Sequence, residues 1–153
     1  MKVGIISDTH GLLREDVLKQ LEQCDVILHG GDINKPEILD TLRKIAPLYA
    51  VRGNNDKEWA ADLPHDLSFE LEGIRFFMVH NKKEVPKEAN ADIIVFGHSH
   101  KYFETEDSGV LWLNPGSCGK RRFDQEITMA LLEINGSSYC VEKIVIPHEE
   151  KGR

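Results

Sequence analysis

Six short clusters in the sequence carry side chains able to do chemistry: Ser7-Asp8-Thr9-His10-Gly11, His29-Gly30-Gly31-Asp32, Gly53-Asn54-Asn55-Asp56, His80-Asn81, Gly97-His98-Ser99-His100 and Asn114-Pro115-Gly116-Ser117. Between them they offer Asp8, His10, Asp32, Asn54, His80, His98 and His100, a donor set of nitrogen and oxygen with no thiolate. Four imidazoles, two carboxylates and an amide oxygen exceed the needs of one ion. They suit two divalent ions sharing a carboxylate, and donors of this kind favour Mn²⁺, Ni²⁺, Fe or Zn²⁺ over Ca²⁺. A pair of such ions ~3.5–4 Å apart activates a water and clamps the oxygens of a phosphoryl group during in-line displacement.

Taken singly, each cluster has a plainer use. An Asp-x-His ahead of a helical segment serves as a cap, because Asp and Ser favour the N-cap position. Gly-Asn-Asn-Asp suits a loop that visits left-handed backbone, which Gly and Asn tolerate. Position is what joins the clusters into one site. Each begins where an apolar, strand-like run ends, and in open α/β sheets ligands bind in the crevice beyond the carboxyl ends of the strands.

The elements that must position these clusters follow from periodicity. Val3 to Ile6 is a continuous apolar strand; Leu13, Val17, Leu18 and Leu21 share one face of a helix over residues 13–23; Val26 to Leu28 is a second strand. Pro36 suits a helix first turn, and Ile38, Leu39, Leu42 and Ile45 give that helix its apolar stripe before a third strand, Leu48 to Val51. Strand and helix alternating in this way imply right-handed crossovers and a parallel sheet. Further on, Ser68–Glu72 and Ile74–Val79 flank Gly73 as a hairpin, and Ile93–Phe96, Val110–Leu113, Thr128–Ile134 and Tyr139–Ile146 are strand-like, with an Asn135-Gly136 turn between the last two. Helical signal there is limited to a turn around Pro86–Ala89. The expectation is an α/β fold, residues 1–153 forming one domain, with a parallel start, mostly antiparallel later strands and a frayed tail over Glu149–Arg153.

Composition narrows the function classes. Among 153 residues, 26 are acidic and 19 basic, a formal charge of −7, with 41% apolar and 29% charged side chains. These proportions fit a folded globular chain and argue against a membrane span. The acidic balance argues against binding polymeric nucleic acid, which rests on excess Lys and Arg, and leaves a small nucleotide as the only nucleic-acid ligand to consider. Cys24, Cys118 and Cys140 form no CxxC pair, and the apolar run after Met1-Lys2 is shorter than a signal-peptide core. A reduced, cytoplasmic protein is expected; oligomeric state is not legible.

The ordered series Asp-x-His, Gly-Asp, Gly-Asn-x-Asp, His, Gly-His-x-His and Asn-Pro-Gly-Ser resembles the calcineurin-like metallophosphoesterases, in particular their small bacterial and archaeal phosphodiesterase branch. The resemblance runs from Asp8 to Ser117. It implies a four-layer α/β sandwich, two mixed β-sheets packed face to face with helices outside. It also implies one metal held by Asp8, His10, Asp32 and His100 and another by Asp32, Asn54, His80 and His98, with Asp32 bridging. The reaction implied is hydrolysis of small phosphodiesters by a metal-bridging hydroxide, with Asp32, Asn54 and His80 at the catalytic centre.

Two positions depart from the family pattern. Larger members place a histidine after Gly-Asn that protonates the leaving oxygen; this chain has Asn55, whose amide is no general acid, a step worth ~10²–10⁴ in rate. Asn81 follows His80 where glycine is usual. The retromer scaffold subunit, similar to the same small branch, also lacks that histidine, so a non-catalytic protein-binding scaffold is the alternative function. Asp56 is expected to orient a ligand or cap its own loop, and Lys120, Arg121 and Arg122 offer a cation to a substrate phosphate. His29 is expected to be a core histidine; His65 and His148 fall outside every motif.

Overall fold

In a computed structural model, residues 1–120 and 125–147 are described. Arg121, Arg122, His148 and the tail lie outside them. The apolar run at the start forms β1 (Lys2–Ile6), followed by α1 (Glu15–Leu21), β2 (Val26–His29), α2 (Pro36–Ile45) and β3 (Leu48–Ala50). These strands pair in parallel, β1 with β2 and β2 with β3. Helix α2 begins at Pro36 as its spacing predicts and buries Ile38, Leu39 and Leu42. Helix α1 is shorter than residues 13–23, and its N-cap, Arg14, makes no side-chain cap.

The remaining strands are β4 (Asp66–Leu71), β5 (Ile74–Val79), β6 (Ile93–Val95), β7 (Phe103–Asp107), β8 (Val110–Asn114), β9 (Thr128–Asn135) and β10 (Ser138–Val145). They complete two five-stranded mixed sheets, ordered β10-β9-β1-β2-β3 and β4-β5-β6-β8-β7. The expected hairpins β4–β5 and β9–β10 form, each antiparallel. One expectation is corrected: β5, β6 and β8 pair in parallel, so the second sheet has a parallel centre of its own. Its crossovers run through loops, a 3₁₀ turn (Lys82–Glu84) and β7 instead of α-helices, which removed the alternation that marks a parallel sheet.

Strand period two sorts side chains into layers. Val3, Ile5 and Leu28 of the first sheet meet Phe76, Met78, Ile93, Val95 and Leu113 of the second in a core between the sheets. The alternate residues Ile6 and Ile27 face outward against Val17 and Leu21 of α1 and Ile38 and Leu42 of α2. On the outer face of the second sheet Phe77, Ile94 and Phe96 pack with Val85 and Ala89 of the crossover loop. The result is the two-sheet α/β sandwich expected, with its α-helices on the first sheet. The site depends on one property of this arrangement: the six parallel strands, three per sheet, turn their carboxyl ends to a common edge.

Candidate metal centre

Each of the six clusters follows the end of one of those parallel strands: Asp8 and His10 after β1, Asp32 after β2, Asn54 to Asp56 after β3, His80 after β5, His98 and His100 after β6, and Pro115 to Ser117 after β8. Backbone bonds lock neighbouring loops together, with Asp8 N–H donating to Gly31 O at 2.9 Å and His10 N–H to Asp32 O at 3.0 Å. Gly97 N–H donates to His80 O at 2.9 Å in the same way. Asn114 ties in the last strand, donating through Nδ2 to Gly97 O and Ser99 Oγ, both at 3.1 Å, while Ser117 Oγ donates to Asp8 O at 3.0 Å. The Asn-Pro-Gly-Ser cluster therefore clamps loops that carry donors.

Five of the seven predicted donors converge. Asp8 Oδ1 lies 3.6 Å from His10 Nε2, 3.4 Å from His100 Nε2 and 3.8 Å from His80 Nε2. Asp32 Oδ2 lies 3.2 Å from His80 Nε2 and 3.7 Å from His10 Nε2. Asp8, His10 and His100 form one candidate cation group and Asp8, Asp32 and His80 another. Asp8 thus stands in both groups. Asn54 and His98 stand at the exposed rim: Asn54 shares a cavity of about 220 Å³ with His80, and the His98 ring centre is 5.3 Å from that of His80.

The polar atoms at the centre test whether a cation fits. Asp8 Oδ2 accepts from the Ser7 hydroxyl at 2.7 Å and from His98 N–H at 3.1 Å, whereas Asp8 Oδ1 is buried without a hydrogen-bond partner. His80 Nδ1–H donates to Gly30 O at 2.7 Å, which fixes the tautomer and turns the lone pair of Nε2 inward; Nε2 is likewise buried without a hydrogen bond. Unpartnered buried polar atoms are costly, and a ligating histidine usually donates its other N–H to a carbonyl or carboxylate. The Nε2 atoms of His10 and His100 are 3.2 Å apart, a contact that needs a proton or a cation between them. These donors fit a divalent cation.

Electrostatics agree. Burial alone raises the Asp8 carboxyl, but the His10, His100 and His80 imidazoles and the Ser7 hydroxyl outweigh it and hold Asp8 well below the usual carboxylate range. Burial likewise opposes ionisation of Asp32, where His80 and the Asn55 N–H prevail and lower it. Two ionised carboxylates in a buried crevice make a site for positive charge. His80 is raised in spite of its burial, through Asp32 and Asp8.

Close backbone approach explains two glycines. A Cβ on Gly53 would stand 2.1 Å from Asp32 Oδ1, and one on Gly97 would stand 2.7 Å from Asp8 Oδ2. Asp8, His10, Asp32, His98 and His100 all hold left-handed backbone, with φ of 54°, 47°, 60°, 74° and 67°. Such conformations cost of order 1–3 kcal/mol each and gather at functional sites.

Several residues around the donors support them, Asp56 and His29 among those expected from the sequence. Asp56 accepts the backbone N–H groups of Asp32, Ile33, Asn34 and Gly53 at 2.8–3.0 Å, so it both caps the loop and orients Asp32. Asn55 donates its backbone N–H to Asp32 Oδ1 at 2.9 Å and its amide to Oδ2 at 3.3 Å, a clamp on the carboxylate. His29 is a buried core histidine with a second duty: Nδ1 accepts from Gly31 N–H at 3.0 Å and Nε2 bonds Thr9 Oγ1 at 3.1 Å. His65, which no motif contains, is brought to the cavity of Asn54 and His80, where it bridges Asp66 at 3.0 Å and Glu84 at 2.9 Å. Arg52 lines the same cavity.

Residues 1–137 match the family model described as the calcineurin-like phosphoesterase superfamily domain. A probable metallophosphoesterase of Methanothermobacter thermautotrophicus is 31% identical over 94% of this chain and 92% of its own length. A phosphodiesterase of Methanocaldococcus jannaschii is 29% identical over 77% of this chain and 84% of its own length. Among solved structures, Vps29 of Entamoeba histolytica complexed with Zn²⁺ superposes with a TM-score of 0.75 at 23% identity, covering 95% of this chain and 99% of that one. With the family model spanning the strands, loops and donors described above, the chain belongs to the calcineurin-like phosphoesterase superfamily.

Proposed function

We propose that this chain is a metal-dependent hydrolase of small phosphodiesters, holding two divalent cations at the edge where the two sheets meet. The convergence of Asp8 Oδ1, Asp32 Oδ2 and the Nε2 atoms of His10, His80 and His100 carries this reading. Asp8, His10, Asp32 and His100 would hold one cation, and Asp32, Asn54, His80 and His98 the other. Mn²⁺ is the first candidate, with Ni²⁺, Fe and Zn²⁺ behind it, since these donors suit all four. Bound cations supply Lewis acidity, lowering the pKa of water and offsetting phosphoryl charge.

The chain's own residues do the rest. Gly30 O holds the His80 tautomer, Ser7 and the His98 N–H hold Asp8, and Asn55 and Asp56 hold Asp32, so the donors are fixed before substrate arrives. The imidazoles ligate only when neutral, so acid works against loading. No titratable side chain follows Asn54 to protonate a leaving group, which favours esters of acidic alcohols. Among the described residues no helix is long and apolar enough to cross a membrane, and the three cysteines are free. Both are in keeping with a cytoplasmic site of action, which we include in the proposal.

Asn55, standing where larger members carry a histidine, favours a second reading, a protein-binding scaffold of the same fold. One experiment separates them. Protein reconstituted with Mn²⁺ should bind close to two ions per chain and hydrolyse bis(p-nitrophenyl) phosphate, and Asp32→Asn should abolish turnover while its circular dichroism is unchanged. Absence of bound metal, or of turnover by the metal-loaded protein, refutes the enzyme; turnover retained in Asp32→Asn refutes the assignment of Asp32 to both cations.

A further inference from the structure

A second cavity of about 430 Å³ opens beside His98, with Asn81, Lys82, Phe96, Lys101 and Phe103 among its walls. Its volume falls in the range of small-molecule sites. The walls combine two unlike properties. Phe96 and Phe103 have ring centres 6.1 Å apart, and Trp112 stands 6.4 Å from Phe96, so the cavity adjoins an aromatic cluster. Over that cluster sits a cation, with Lys82 Nζ 4.6 Å from the Phe103 ring centre and 5.7 Å from those of Phe96 and Trp112. Lys83 and Lys101 add two more charges to the same walls, on a chain whose formal charge is −7.

Phe103 is out of keeping with its strand. It is 37% exposed at the start of β7, whose other residues, Glu104 to Asp107, are polar and solvent-facing. An exposed phenylalanine beside a lysine-rimmed cavity has a use if a flat apolar group lies against it. The cavity is also continuous with the donors: Gly97 and His98 line it, and the His98 N–H is bonded to Asp8 Oδ2.

We propose that this cavity is the subsite for a planar aromatic ring carried on the phosphate ester, the ring packing on Phe103 at the edge of the aromatic cluster while Lys82, Lys83 and Lys101 favour its anionic linkage. The proposal rests on the phosphodiesterase reading and names the substrate class within it: aryl or nucleotidyl esters over alkyl ones. An alkyl group buries less surface there and has no π-face to stack.

Calorimetric titration of the Mn²⁺-loaded protein tests it with matched pairs: phenylphosphonate against methylphosphonate, and thymidine 5′-monophosphate against ribose 5-phosphate. The aromatic member of at least one pair should bind about tenfold more tightly, the size expected for one stacked ring. A margin in the first pair alone assigns a simple aryl group, and a margin in the second a nucleobase. Phe103→Ala should remove the margin and leave methylphosphonate binding as it was, and Phe103→Tyr should restore it. If methylphosphonate binds but neither pair shows a margin, or if the margin survives Phe103→Ala, the subsite is wrong and the phosphodiesterase reading stands. If Mn²⁺ itself does not bind, the phosphodiesterase reading fails and the subsite with it.

Discussion

Asp56 Oδ2 accepts the backbone N–H of Asp32 at 3.0 Å, so one carboxylate outside the candidate cation groups holds in place another that belongs to one. The same side chain gathers the N–H groups of Ile33, Asn34 and Gly53. Replacing it by alanine leaves buried donors unmet, at 1–3 kcal/mol for each group that water cannot reach. Asp56→Ala should lower unfolding free energy by roughly 3 kcal/mol in urea titration and weaken Mn²⁺ binding by about 10–100-fold.

Gly53 presses on the same carboxylate. A Cβ there would meet Asp32 N at 2.4 Å as well as Oδ1 at 2.1 Å, and backbone cannot yield as a side chain can. Gly53→Ala should therefore cost about 1–3 kcal/mol of stability and reduce metal affinity, both measurable by thermal unfolding with and without Mn²⁺. Gly73→Ala provides the contrast, since no atom lies within 4 Å of its Cβ although its φ of 84° is strained. It should destabilise without changing the Mn²⁺ dependence.

Asn55 spends its backbone and side-chain N–H groups on Asp32 and brings no transferable proton to the crevice. Rates should therefore follow the acidity of the leaving alcohol steeply. With Mn²⁺ present, bis(p-nitrophenyl) phosphate should be cleaved at least about 10²-fold faster than a dialkyl ester, the scale of a missing general acid. Equal rates would show that another group supplies the proton.

Burial pushes the His29 imidazole down to about 4, and its Nδ1 accepts from Gly31, so the folded protein holds it neutral. The unfolded chain protonates this residue near pH 6.5, and between there and pH 4 the unfolded state binds a proton that the folded state does not. Stability contributed at this position is intact above about pH 7 and falls as pH drops through that window, by on the order of 3 kcal/mol. In chelator, wild type should lose this amount relative to His29→Gln between pH 7.5 and 4; a constant difference would show that His29 is not held neutral.

The cysteines differ sharply in access. Cys118 is fully buried and its thiol is pushed up to about 12, Cys24 is buried and pushed up to about 11, and Cys140 lies exposed on β10. Thiolate is the reactive form. Ellman's reagent at pH 8 should modify one thiol per native chain quickly and three after denaturation, and Cys140→Ser should abolish the fast phase.

How much of this was legible depends on whether residue type or partner choice decides the feature. The donors were readable because Asp8, His10, Asp32, His80 and His100 follow apolar runs whose ends the sequence marks clearly. The direction of β5, β6 and β8 was not, because an apolar strand looks the same whichever way its neighbours run. β7 was missed because Phe103-Glu-Thr-Glu-Asp107 is an exposed edge with no buried face to impose alternation. That Asp56 caps its loop and orients a ligand was expected, but not that the ligand is Asp32, because the link runs to backbone N–H groups, which nearly every residue type carries.

The left-handed backbone at Asp8, His10, Asp32, His98 and His100 limits how far the loops can adapt to an ion. A chain that curls around an ion only when the ion arrives behaves as an open chelator, adapting its hole to whatever enters. Here the unfavourable torsions are held by the sheets and by bonds between their loops, Asp8 N–H to Gly31 O and His10 N–H to Asp32 O among them, so the loops should behave as a macrocycle. A macrocycle gives up adaptability and gains selectivity by size. Its affinity should fall away steeply for ions larger than those that its fixed bite accommodates, Ca²⁺ among them.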